Sequence, residues 1–148
     1  MNKKTEKLLI FFMLFFSVGV FFCFGLFHLT KFETADEHLW KYGRIKQYWQ
    51  SIENKDWKKT YINDKPGVTI ALFSGSALLL EPNPENQKIS DPNLTQNGLF
   101  NVYNIEKTDY INFIFRFPVL VVSSLSLFLF FWLAFKSFRS KKLALLTT

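Results

Sequence analysis

The sequence predicts an all-α membrane protein in which two transmembrane helices flank an extracytoplasmic loop carrying an amphipathic surface helix and a short interfacial helix. Two runs lead there first: Leu8 to Leu29 has 22 residues without Asp, Glu, Lys or Arg, and Phe117 to Phe135 has 19. At about 1.5 Å per residue each makes a helix of the length needed to cross a hydrocarbon core. The third observation is where the charge sits. Of the net charge of +6, the three lysines and one glutamate before the first run supply +2, and Lys136, Arg139, Lys141 and Lys142 supply +4 after the second. Residues 31 to 110 hold 10 Lys or Arg against 11 Asp or Glu. Cationic flanks stay in the cytoplasm, so both termini are expected there and the loop outside. The basic balance belongs to these flanks and forms no aromatic-laced basic face, so no nucleic-acid partner is expected.

The elements follow in order. Residues 1–7 are a cytoplasmic tail and 8–30 the first transmembrane helix. A secretory signal peptide shares this pattern, but the apolar run exceeds a usual signal core and Phe21 to Phe27 offers no small-residue cleavage site. Cys23, the single cysteine, lies inside the run and supports neither a disulfide nor a lipid anchor. The extracytoplasmic loop spans 31–110. Its helix at 35–54 starts with a capping box, Thr34 with Glu37, and repeats apolar residues at Tyr42, Ile45, Trp49 and Ile52. Trp40, Tyr48 and Trp49 suit the headgroup layer, which makes this a surface helix.

Polar residues 55–64 precede an interfacial helix at 66–81, whose apolar run Val68 to Leu80 has 13 residues, about 20 Å as a helix and too short to cross. Residues 82–109, with Pro82, Pro84 and Pro92, read as a polar loop. The second transmembrane helix is expected over 113–136, with Arg116 and Lys136 reaching the two interfaces and Pro118 in its first turn. Residues 137–148 are a cytoplasmic tail or the start of a truncated next span. The Phe-, Lys- and Asn-rich composition points to an AT-rich bacterial genome, and hence to a multi-pass protein of a bacterial plasma membrane.

Candidate chemistry lies at the two ends of the loop's first half, at Asp36-Glu37 and at Asp64-Lys65-Pro66-Gly67. Acids at a helix start also stabilise the backbone dipole, and Glu37 completes the capping box, so a structural role is available for both. A lysine such as Lys65 is common near headgroups. His28 and His38 have no ligand spacing between them and are assigned to no metal. Chain lengths let the two ends meet: a helix over 35–54 covers about 30 Å, and ten residues returning nearly extended cover about 33 Å. A compact 55–64 segment would count against a shared site.

In order, these residues resemble the amino-terminal part of a GT-C membrane glycosyltransferase, in the branch of protein mannosyltransferases and aminoarabinose transferases. Asp36-Glu37-His38-Leu39-Trp40 is similar to the family's D-E-x-x-[YW] at the start of its first external loop. Asp56-Trp57 is similar to its D-W, and Lys65-Pro66-Gly67-Val68 to its K-P-P-L turn with the second proline lost. The resemblance covers roughly residues 5 to 148 and implies transfer of a sugar from a polyprenyl-phosphate carrier to an acceptor at the outer membrane face. It implies Asp36 and Glu37 as the catalytic carboxylates, Lys65 and Arg116 as ligands of the donor's lipid phosphate, and Asp64 as a ligand of a divalent metal. The family has many more spans, so the chain is expected to be a fragment, inactive alone. The competing expectation is a small two-span membrane protein whose external loop binds a partner without catalysis.

Overall fold

The computed structural model describes residues 3–31, 35–62, 68–89, 102–103, 105–138, 140 and 144–146. Helix α1 spans Lys3–His28. After it come α2 (Ala35–Leu39), a π-helical turn at Trp40–Arg44, and α3 (Ile45–Glu53), then a 3₁₀ turn at Trp57–Thr60. Helix α4 (Val68–Ser74) runs into a 3₁₀ turn at Gly75–Leu79, and another such turn covers Pro84–Gln87. Helix α5 (Ile105–Phe138) closes the series. Two helical stretches, Lys4–His28 and Thr108–Phe138, are long and apolar enough to cross a membrane. The helical class expected from the sequence therefore holds. One small addition is an antiparallel ladder of two residues a side, β1 (Lys88–Ile89) with β2 (Val102–Tyr103), pairing Lys88 with Tyr103.

The chain divides into two units, Met1–Phe27 with Leu120–Thr148, and His28–Val119. In the first, Ile10, Leu14 and Val18 recur every four residues along α1, one helical face, and bury against Phe131 and Ala134 of α5. Phe15 and Phe128 meet at 5.1 Å between ring centroids, and a Cβ on Gly25 would overlap the Leu120 side chain. The other faces of α1 leave Phe12, Phe16, Phe24 and Phe27 exposed. Contiguous exposed apolar surface of this kind is rare on monomers in water.

The second unit has its own core of Trp40, Tyr42, Ile45, Ala71, Ala77, Ile111, Ile114 and Phe115. It also explains why α5 starts at Ile105 rather than near residue 113. Ile111, Ile114 and Phe115 fall at i, i+3 and i+4, an amphipathic face that buries here before the charge-free run begins. Pro118 consequently lies inside the helix and not in its first turn. It has no N–H for the Ile114 carbonyl, a loss that a helix start would have avoided.

Two further elements depart from expectation. The helix expected over 35–54 is interrupted by the π turn, in which Ile45 N–H donates to the Trp40 carbonyl. The wider turn lets Trp40, Lys41 and Tyr42, three consecutive residues, all bury, which a regular α-helix does not allow on one side. Trp40 is only 2% exposed, and Trp49 donates from Nε1 to the Ala71 carbonyl at 2.8 Å. These rings are thus packing groups of the unit's interior. Residues 55–62 are compact where an extended return was expected. Lys55 adopts φ 57°, its N–H reaches the Ile52 carbonyl, and Asp56 N–H reaches that of Ser51, a Schellman termination of α3. The 3₁₀ turn follows directly, yet by Ala71 the chain is back against Trp40 and Ile45.

Candidate functional site

Helix α2 and the π turn bring Glu37 and Lys41 onto one face, and α5 presents Asn112 and Arg116, again four residues apart, to meet them. Arg116 Nε donates to Glu37 Oε1 and Arg116 Nη2 to Glu37 Oε2, the latter at 2.7 Å, while Arg116 Nη1 donates to the Leu29 carbonyl. This is the planar two-point fork that a guanidinium makes with a carboxylate. Lys41 Nζ stands 3.8 Å from Glu37 Oε1 and donates to Asn112 Oδ1. Lys41 and Asn112 are each 2% exposed, and Glu37 and Arg116 are partly buried. A buried ammonium persists only where such partners replace its water.

The arrangement constrains the chemistry available to each group. Both Glu37 oxygens accept charge-assisted bonds, so this carboxylate is committed to holding Arg116 and Lys41 in place. Arg116 reaches the Leu29 carbonyl and Glu37 together, and so ties the segment just after α1 to the start of α2 and to α5. Asp36 lies in the backbone of α2, and its side chain is outside the described residues, as are Asp64, Lys65 and the capping partner Thr34. The compact course of residues 55–62 counts against an extended return of the second motif to the first. Among those residues, no group of three or more His, Cys, Asp or Glu could hold a metal ion. A separate cavity of about 680 Å³ is lined by Trp49, Leu72, Leu78, Lys46 and Asn83, and takes in none of the charged cluster.

No family model, no curated protein and no solved structure matches the chain. The site consequently rests on its own geometry. The sequence assigns Glu37 to the helix start and, by resemblance, to catalysis, and Arg116 to the membrane interface and the donor phosphate; it singles out neither Lys41 nor Asn112. A signal for both was present: each lies one helical turn from a charged residue already singled out, Lys41 from Glu37 and Asn112 from Arg116. What the linear pattern lacked was the contact across 79 residues that makes the four a unit.

Proposed function

We propose that the chain supplies the amino-terminal part of a GT-C glycosyltransferase that moves a sugar from a polyprenyl-phosphate carrier to an acceptor at the outer face of a bacterial plasma membrane, with both termini cytoplasmic. The observation that carries this reading is the fork between Glu37 and Arg116, because it joins the Asp36-Glu37 motif to the arginine that opens the second apolar run. In this reading Asp36 takes the proton of the acceptor hydroxyl as its oxygen attacks the sugar's anomeric carbon. Bond breaking leaves the lipid phosphate with its negative charge, and Lys65 stabilises it as the charge develops. Glu37 acts as a positioning residue: it fixes Arg116, whose cation adds to the field felt by the phosphate. A divalent metal at Asp64 belongs to the resemblance, and no step is derived through it.

The test uses membranes containing the intact protein and a polyprenyl-phosphate sugar donor. Asp36→Asn is expected to abolish transfer while insertion and abundance persist, and undiminished transfer would remove Asp36 from the reaction. A second reading, a two-span protein with a non-catalytic external interaction loop, is favoured by one observation. Lys41 donates to Asn112 and both are 2% exposed, an inward pairing of the kind that holds a structure together. Under that reading Asp36→Asn is silent in every transfer assay, and capture of a partner through the external loop survives it.

A further inference from the structure

We infer that the turn Trp57–Tyr61 docks on the headgroup layer of a membrane containing acidic phospholipids. The inference does not depend on sugar transfer and applies equally to a non-catalytic protein. Trp57 is 66% exposed and Tyr61 77%, whereas Tyr48 and Trp49 on the preceding helix are partly buried against the core. The exposed pair is held on an ordered scaffold. Lys59 N–H donates to the Asp56 carbonyl at 3.0 Å, Thr60 Oγ1 donates to the Trp57 carbonyl at 2.7 Å, and Lys59 Nζ pairs with Asp56 Oδ2 at 2.9 Å. The Schellman turn at Lys55 sets where this scaffold leaves α3.

Charge complementarity identifies the partner. Lys55, Lys58 and Lys59 outnumber Asp56 within five residues, so the turn is cationic, and its two aromatic rings are those that concentrate at the membrane–water boundary. Long lysine stems lie along apolar surface while their ammonium groups reach outward to phosphate. An acidic headgroup layer answers these features together: rings at the ester level, Lys55 and Lys58 at the phosphates, and Lys59 held back on Asp56 within the turn. A single exposed aromatic would need no explanation. Two flanking a pair of lysines on a hydrogen-bonded turn do.

The experiment places a nitroxide label on the full chain, in a Cys23→Ser background, at Trp57→Cys or at Tyr61→Cys, with Asn86→Cys as the aqueous reference. The chain is reconstituted in bilayers of phosphatidylcholine with or without phosphatidylglycerol. In acidic bilayers both turn labels are expected to collide more with lipid-dissolved oxygen than with a water-soluble nickel chelate, and the Asn86 label the reverse. Replacing Lys55 and Lys58 by Gln lowers the ratio of docked to undocked turn by about fivefold for each lysine near the surface. Aqueous exposure equal to that at Asn86 in both bilayers overturns the inference. Protection that persists in detergent without phospholipid also overturns it, since it would show a protein contact, and so does a lysine variant that docks unchanged.

Discussion

Arg116 carries more of the fold than its position at the edge of an apolar run suggests. Its guanidinium spends three donors on Glu37 and the Leu29 carbonyl, and Glu37 also lies beside the buried ammonium of Lys41. Removing the carboxylate takes the opposite charge from two cations at once. Glu37→Gln keeps the side-chain shape and loses the charge, so it is expected to cost about 2 kcal/mol, less than the roughly 3 to 5 kcal/mol of a fully buried pair because both partners are partly exposed. Arg116→Lys retains a cation but cannot make the fork, and a loss of similar size is expected. Unfolding in mild detergent, followed by the near-ultraviolet signal of the buried Trp40, measures both. A Glu37→Gln variant as stable as the parent would show that the fork is a surface contact without weight. Nothing in the run of residues 105–116 named Glu37 as the partner of Arg116. The single sequence contained the two charges, and only the fold that brings Glu37 to Arg116 contained the pair.

Elements were legible where they rest on local pattern and illegible where they rest on packing. The two apolar helices followed from charge-free runs, and α4 from the apolar run after Pro66. The π turn did not: Trp40–Arg44 contains ordinary helix residues, and what widens the turn is burial of Trp40, Lys41 and Tyr42 together. The same holds for the early start of α5, whose first turns pair polar residues with a core-facing stripe. Close approach inside the second unit gives a direct test. A Cβ on Gly75 would overlap the pyrrole edge of Trp49, whose Nε1 is bonded to the Ala71 carbonyl, so the ring cannot yield without giving up that bond. Gly75→Ala is expected to destabilise by about 1 to 3 kcal/mol. Gly25→Ala should cost less, because the atoms it meets are the far end of the Leu120 side chain, which can rotate aside. Lys55→Gly is expected to act in the opposite sense: at φ 57° glycine avoids the strain a side chain meets there, a gain of about 0.5 to 1 kcal/mol. Thermal unfolding of the three variants side by side should rank them Lys55→Gly, Gly25→Ala, Gly75→Ala from most to least stable.

At the scale of the whole molecule, the proposal that the loop is extracytoplasmic rests on the charge that flanks the two apolar runs. The runs Leu8 to Leu29 and Phe117 to Phe135 hold no charge that could set a direction. Direction comes from Lys3, Lys4 and Lys7 before the first apolar run, and from Lys136, Arg139, Lys141 and Lys142 after the second, against a nearly neutral loop. A phosphatase that is active only outside the cytoplasm, inserted after Asn86, should therefore be active, and a fluorescent protein that matures only in the cytoplasm should fluoresce when fused to either terminus. Because the carboxy-terminal cations are the larger group, neutralising all four of them to Gln weakens the bias most. The variant is expected to give a mixed population in which a fraction of the Asn86 fusions loses phosphatase activity while total protein is unchanged. Reversing the asymmetry, by adding the four lysines beside Asn86 in the same variant, should enlarge that fraction further. A phosphatase silent at Asn86 in the parent chain would put the loop in the cytoplasm, where a lipid-linked sugar presented at the outer face could not reach Asp36.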